Sequence, residues 1–126
     1  GTLLMTPSRT TFAAGDIIEL KVQGKGLHWV NALSFALPYN TDQLEYVGIE
    51  LLNMKDMVNL TYDRLHTNGQ KELLPTFVNR GNNFLLDEGD SDLFVLKFKA
   101  KKAGKLALKM KDGMLVDRNL GTTEVK

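Results

Sequence analysis

The feature that most constrains this fold is an alternation of large and small side chains within residues 32–47 (ALSFALPYNTDQLEYV). Between Leu33 and Tyr39 every second residue is large and apolar, and the residues between them are small. A repeat of two residues predicts a β-strand, in which successive side chains point to opposite faces. Because Pro38 has no amide hydrogen to donate, we expect regular pairing to end near it. The polar residues 40–42 then predict a turn.

Three further segments alternate in the same way and predict strands with one buried face. They are residues 18–23, 93–100 and 105–111. Lysines take much of the second face in the last two segments, which keeps outer strands soluble and discourages edge-to-edge pairing. We predict a core that contains Leu33, Phe35, Leu37, Tyr46, Phe94, Leu96, Phe98, Leu106 and Leu108.

Turn signals separate the alternating segments. Asn68-Gly69 lies between residues 60–67 and 70–79, and this dipeptide favours a two-residue hairpin loop. Asp112-Gly113 is a signal of the same type and predicts a second hairpin. Pro75 predicts an edge or a bulge in the return strand of the first hairpin.

Eight or nine short strands, with turns between them and almost no helix, predict an all-β antiparallel sandwich. A weak helical spacing occurs in residues 53–59, where we expect one turn of helix or an ordered loop. A length of 126 residues fits a single domain covering 1–126. Since the chain begins Gly1-Thr2, without an initiator methionine or a signal peptide, we expect this domain to be excised from a longer multimodular protein.

Charge and composition argue against several classes of function. Sixteen Lys and Arg against fifteen Asp and Glu leave a net charge of +1, which gives no bulk attraction to nucleic acid or anionic membranes. The chain has no cysteine, so disulfides and thiolate chemistry are excluded. No apolar run approaches the roughly 20 residues of a membrane helix. We therefore expect neither nucleic-acid binding nor membrane insertion.

Metal and catalytic sites have weak support in the sequence. Residues 87–92 (DEGDSD) have the carboxylate density of a calcium loop, but their spacing is not that of an EF-hand, and a solvated turn is the favoured interpretation. His28 and His66 lack the spacing of a zinc motif. No set of residues stands out as a nucleophile with its base. We predict no catalytic residues, no metal and no cofactor, and calcium at 87–92 stays open.

Tyr62, Arg64 and His66 form the candidate binding site. They occupy alternate positions of a predicted strand, so their side chains share one face. Tyrosine and arginine are enriched at protein interfaces, and we therefore predict these three as partner-binding residues. An ordinary solvent-exposed face, with Tyr62 partly buried at a rim, is the alternative.

Several marks together resemble the cohesin-like family over residues 12–119. They are Gly15-Asp16 before an alternating strand, LSFALPYNTDQLEYVGI at 33–49, the Asn-Gly hairpin, LFVLKFKAKKAGK at 93–105 and LVDRN at 115–119. The resemblance implies a jelly-roll β-sandwich of about nine strands within a large secreted bacterial protein, located outside the cell, in the periplasm or at the cell surface. Members that are true cohesins bind dockerin modules through one flat sheet face. Thr41 departs from the family pattern, in which a proline is common at this position.

The resemblance implies a non-catalytic accessory module of a secreted polysaccharide-degrading protein, such as a glycoside hydrolase. It would act in protein–protein interaction or as a spacer, with other modules of the parent protein or a dockerin-like protein as partners. The alternative is a carbohydrate-binding module, which needs two or three exposed coplanar aromatic rings. With six aromatic residues assigned to the core, Trp29, Tyr62, Phe77 and Phe84 are the candidates for such a platform.

Overall fold

The computed structural model describes residues 1–27, 30–54, 57–65, 71–79, 89–117 and 122–125. Within these ranges the chain forms thirteen strand segments and no helix. The segments are β1 (Thr2–Pro7), β2 (Thr11–Phe12), β3 (Ile17–Leu27), β4 (Val30–Tyr39), β5 (Leu44–Leu51), β6 (Val58–Asn59), β7 (Tyr62–Leu65), β8 (Lys71–Leu74), β9 (Thr76–Val78), β10 (Gly89–Ala100), β11 (Gly104–Lys105), β12 (Lys111–Asp117) and β13 (Thr122–Val125). Nine of the segments contain four residues or more, close to the predicted number of strands.

Two antiparallel sheets make up the sandwich. Sheet I has the strand order β1-β3-β10-β5. Sheet II has the order β13-β12-β4-β8-β7, with β9 pairing alongside β4 and β6 pairing alongside β9. The short strands β2 and β11 form a separate two-stranded pair. The predicted all-β antiparallel sandwich is confirmed.

Strand β4 lies in the middle of sheet II and carries the alternation that the sequence predicts. Its large residues from Leu33 to Tyr39 at odd positions are buried, with at most 4% of each exposed. The small residues between them point away from the core. Because these side chains are short, that part of the outer surface forms a shallow depression. β12 pairs with one edge of β4, and β8 and β9 pair with the other.

Aromatic rings join the two sheets across the core. Phe94 of sheet I stacks on Phe35 of sheet II at a centroid distance of 6.2 Å, and it contacts Phe77 of sheet II at 5.0 Å. Phe98 of sheet I meets Tyr39 of sheet II edge-on at 5.1 Å. Such pairs add roughly 0.5–1.5 kcal/mol beyond the burial of area. The predicted core residues that are confirmed as fully buried are Leu33, Phe35, Leu37, Phe94, Leu96 and Phe98.

Three of the predicted core residues are only partly buried. Tyr46, Leu106 and Leu108 pack against the margin of the core rather than within it. Residues 106–110 alternate in sequence, but they form no strand; the amide of Leu106 donates a backbone hydrogen bond to the carbonyl of Thr10 at 2.8 Å. The alternation therefore predicts the inward side chains of this segment and wrongly predicts a strand.

The second predicted hairpin is wrong. Asp112-Gly113 lies within β12, which continues along β4 instead of turning back. Between the pairs Lys111↔Ala36 and Met114↔Ser34 the strand β12 has one extra residue, and Asp112 adopts a positive φ of 54°. The dipeptide thus forms a β-bulge, because pairing with a central strand outweighs the local turn preference.

The first predicted hairpin is supported by its two strands. β7 and β8 pair antiparallel from Tyr62↔Leu74 to Leu65↔Lys71, while the Asn68-Gly69 turn lies outside the described residues. Pro75 separates β8 from β9 as predicted. In residues 53–59 the amide of Met57 donates a backbone hydrogen bond to the carbonyl of Met54 (3.1 Å), and the described part of this segment is not helical. In the part of the chain described here, no helix is long and apolar enough to span a membrane.

Candidate interaction surface

The outer face of sheet II is the surface that the strand register assembles into one continuous array. Residues opposite each other in antiparallel strands point to the same side, so the register identifies the outward rows. These rows are Val58 on β6 with Tyr62 and Arg64 on β7; Val78, Thr76, Leu74 and Glu72 along β9 and β8; Ala32, Ser34, Ala36 and Pro38 along β4; and Val116, Met114 and Lys111 along β12. Leu60, between β6 and β7, donates a backbone hydrogen bond to the carbonyl of Thr76 and adds an exposed side chain there.

Exposed apolar side chains occupy much of this face. Leu60, Tyr62 and Met114 are 51%, 53% and 46% exposed. The small residues Ala32 and Ser34 form the floor of a shallow groove of about 70 Å³ between β12 and β9. Exposed large apolar side chains gathered on one sheet face are typical of interaction sites on soluble proteins.

The outer face of sheet I has a different character. Lys21 pairs with Asp92 at 2.9 Å, and two more lysine–carboxylate pairs lie on the same face. Its exposed apolar residues include Leu4 on the edge strand β1 and Val47 on the opposite edge strand β5. A cleft of about 450 Å³ on this face is lined by Leu52 and Val95 together with the charged residues Glu19 and Lys21. A face of paired charges is well solvated, so sheet II presents the better docking surface.

One end of the sheet II face carries three charged residues, which we call the Arg64 triad. Nη2 of Arg64 donates a hydrogen bond to Oε1 of Glu72, and Nζ of Lys111 lies 3.5 Å from Oε2 of the same carboxylate. Glu72 is the buried member, with 3% of its side chain exposed, whereas Arg64 and Lys111 are each 52% exposed. The two cations compensate a carboxylate that would be costly to bury alone.

The predicted binding residues are placed in part on this surface. Tyr62 and Arg64 share an outward row of β7, and His66 lies outside the described residues. Sequence reasoning missed Glu72, Lys111 and Met114, because these residues come from strands that are distant in sequence. No local pattern distinguishes Glu72 from the solvated glutamates of other strands.

A cleft of about 330 Å³ lies at the end of the sandwich near the turn between β4 and β5. Within it the hydroxyl of Tyr39 donates to Oδ2 of Asp63 at 2.6 Å, and Nζ of Lys71 lies 3.4 Å from the same oxygen. Burial, and then the hydrogen bond to Asp63, raise the pKa of Tyr39 well above its ordinary value. The phenol is therefore held protonated as a hydrogen-bond donor, which suits a structural link better than acid–base chemistry.

In the described part of the acidic stretch 87–92, the carboxylates already contact other side chains of the domain. Oδ1 of Asp92 accepts a hydrogen bond from Gln23 at 2.6 Å, which together with Lys21 lowers the pKa of Asp92. Asp90 lies 3.7 Å from Nζ of Lys25. Asp87 and Glu88 lie outside the described residues, and the described ones contain no group of three metal-ligating side chains.

The aromatic residues proposed as a sugar-binding platform do not come together. Phe77 is fully buried against Phe94, so its assignment to an exposed platform is wrong. Trp29 and Phe84 lie outside the described residues. Tyr62 is the one exposed aromatic side chain in the described ranges.

Comparisons with known proteins agree on one family. The sequence model of the family described as "Cohesin domain" matches residues 5–126. A comparison with the curated proteins found no match.

Solved structures with the same fold include three cohesins. The cohesin module of a family 33 glycoside hydrolase from Clostridium perfringens is 18% identical over 100% of this chain and 90% of its own, with a TM-score of 0.74. A non-cellulosomal cohesin from Archaeoglobus fulgidus is 16% identical over 99% and 85%, with a TM-score of 0.68. The Coh-OlpA–Doc918 complex, a type I cohesin–dockerin complex from Clostridium thermocellum, contains a chain that is 12% identical over 100% of both chains, with a TM-score of 0.67.

Proposed function

This chain belongs to the cohesin-domain family, and from that premise we propose that it is a non-catalytic module that binds a dockerin-like protein through the outer face of sheet II. One observation carries the proposal: this face exposes Leu60, Tyr62 and Met114, and Met114 lines a shallow groove floored by small residues. The outer face of sheet I carries three lysine–carboxylate pairs, whereas the charged pairs of the sheet II face lie at one end of it. Protein interfaces have an apolar centre that is depleted in charge, so the first face suits a partner better.

Tyr62, Arg64 and His66 remain our proposed partner-binding residues. Tyr62 and Arg64 lie side by side on the outward row of β7 and are both about half exposed. Residues of these two types commonly dominate binding energy. Their position on the face that also exposes Leu60 and Met114 supports the assignment. The assignment of His66 follows from the alternation of the sequence alone.

We further propose that residues 1–126 are one domain of a secreted, multimodular, polysaccharide-degrading protein outside the cell or at its surface. The similarity to a cohesin module of a family 33 glycoside hydrolase supports this context. In such a protein the domain would link the parent chain to a partner or separate two of its modules.

The alternative function, carbohydrate binding, has less support. A flat platform needs two or three exposed rings, and Tyr62 alone supplies one among the described residues. A protein partner needs no such platform, because it can pack against the exposed side chains of Leu60, Tyr62 and Met114 on the sheet.

Binding to a panel of purified dockerin modules, measured by isothermal titration calorimetry, tests the proposal. We expect at least one module to bind the wild-type domain, and we expect Leu60→Asp and Met114→Asp each to weaken that binding at least about tenfold, since each buries a charge in the interface. Val47→Asp, at a 55% exposed position of sheet I, is the matched control and should bind normally. A panel without any binder, or a loss caused by Val47→Asp alone, would overturn the proposal.

A further inference from the structure

We propose that the Arg64 triad selects the partner by charge. Arg64 and Lys111 bind a carboxylate of a protein segment, and the apolar side chains of that segment cover the apolar patch formed by Leu60, Tyr62 and Met114. This inference rests on the proposed function and adds to it the chemistry of the partner. The observation behind it is that two exposed cations from different strands share a single buried carboxylate.

The triad has an excess of positive charge in a fixed place. Glu72 contributes one negative charge, and each of its carboxylate oxygens already faces one cation. The net charge of the three side chains is therefore +1. Along the outward rows of β4, β6, β7, β8 and β9, the described residues carry no charged side chain besides Arg64 and Glu72. At the other edge of the sheet, Glu124 of β13 pairs opposite Met114 of β12. The net positive charge of the triad is thus the charge that a partner meets at the Arg64 end of the face.

The donors of the two cations are only partly used within the domain. A guanidinium has five N–H donors and an ammonium has three, and Glu72 can occupy a minority of them. Half of each cationic side chain is open to solvent, where water serves the remaining donors. A partner that covers this surface displaces the water, so it must supply acceptors or leave buried donors unpaired, which costs affinity. A carboxylate supplies two acceptor oxygens and a compensating charge.

Glu72 also holds the two cations in position before any partner arrives. It lies on β8 directly opposite Arg64 on β7, and Lys111 reaches it from the far side of β4. Long side chains usually lose rotamer freedom on binding, and a pre-formed pair lowers that cost. The triad therefore favours an acidic residue and disfavours a basic one at the same place on the partner.

The apolar patch adjoins the triad, and this arrangement determines which partner segment would be complementary to both. Tyr62 is two residues from Arg64 on the same outward row, and Met114 follows Lys111 on β12. A partner segment that seats apolar side chains on Tyr62 and Met114 brings its next residues over the triad. We thus infer an amphipathic protein segment with an acidic residue at one end of its apolar face.

The test uses the tightest dockerin module found in the panel described above, as the probe. Arg64→Gln and Lys111→Gln keep hydrogen-bonding groups but remove charge, and we expect each to weaken binding about three- to tenfold and to reduce its dependence on salt concentration. Lys97→Gln is the matched control, because Lys97 is an ion-paired lysine on the outer face of sheet I, 3.4 Å from Glu50. The acidic residues of the probe are replaced one by one by their amides.

Each probe variant is also measured against Arg64→Gln and Lys111→Gln. If the loss of binding free energy for the two changes together differs from the sum of the separate losses, the replaced acidic residue is the one that contacts the triad. Thermal unfolding verifies that each variant is folded, and if Arg64→Gln unfolds, Lys111→Gln with the probe variants decides. The inference alone is refuted if Met114→Asp abolishes binding while both charge variants bind like Lys97→Gln. A panel without any binder refutes the proposed function and the inference together.

Discussion

Arg64 on β7 lies directly opposite Glu72 on β8, and its guanidinium is hydrogen-bonded to a carboxylate whose side chain is only 3% exposed. A residue that sequence reasoning assigns to partner binding thus also compensates a buried charge of the domain. Substitution of Arg64 therefore changes the stability of the fold as well as the chemistry of the surface. The two effects are separable, because Tyr62 lies on the same row of the same strand.

We predict that Arg64→Ala lowers the free energy of unfolding by about 1–3 kcal/mol, because it leaves Glu72 with Lys111, at 3.5 Å, as its remaining charge partner among the described residues. Tyr62→Ala, at a 53% exposed position, should cost less than about 1 kcal/mol. Urea denaturation of both variants measures the difference. Equal losses for the two would show that the buried carboxylate does not depend on Arg64.

Tyr39→Phe should make the stability of the domain less sensitive to alkaline pH. Folding raises the pKa of Tyr39 above its ordinary value of 10.0, so the neutral phenol stabilises the fold fully below about pH 10. This contribution is lost as the pH rises from that value toward the higher pKa of the folded state. Removal of the hydroxyl also takes a donor from Asp63, which should cost about 1 kcal/mol at pH 7.

The measurement for Tyr39 is the melting temperature from pH 7 to pH 11 for both proteins. We expect the wild type to be the more stable at pH 7 and the difference to shrink above about pH 10. Tyr46 stays in both proteins and provides a common background. A difference that is constant over this range would contradict the raised pKa that burial and the hydrogen bond to Asp63 give Tyr39.

Phe94→Ala should be among the most destabilising changes in the chain. Its ring is fully buried and touches Phe35 and Phe77 of the other sheet, so truncation should cost about 3–5 kcal/mol. Leu106→Ala removes a side chain that is only partly buried and should cost about 1–2 kcal/mol. Chemical denaturation compares the two, and a larger loss for Leu106 would place the centre of the core elsewhere.

Alternation predicted the fold well, because each sheet has one face covered by the other. In β3 and β4 a one-residue shift would move the apolar row into solvent, so the pattern and the burial agree. In β10 the alternation fails over residues 93–96, which are all buried. The same pattern in residues 106–110 gives inward side chains without a ladder. Periodicity reports which side faces the core, whereas pairing depends on whether a neighbouring strand is within reach.

The candidate site was predicted only in part, because it is assembled across strands. Tyr62 and Arg64 follow from the spacing within one strand. Glu72 and Lys111 meet Arg64 only through the pairing of β7 with β8 and of β12 with β4. The sequence allows Phe77 to be an exposed ring, because its segment is interrupted by a proline. Its pairing with β4 places the ring in the core. These placements are set by tertiary pairing and leave no local trace in the sequence.

The bulge of β12 provides a test of how tertiary pairing overrides a local turn signal. Asp112 has a φ of 54°, a conformation that costs most residues roughly 1–2 kcal/mol and β-branched residues more. We expect Asp112→Val to lower the free energy of unfolding by about 1–2 kcal/mol and Asp112→Gly to leave it unchanged or raise it slightly. Urea denaturation of both variants measures this, with Lys109→Val, at an exposed position outside the strand, as the control. If the valine and glycine variants at position 112 are equally stable, the residue does not hold a left-handed conformation, and β12 pairs with β4 without the bulge.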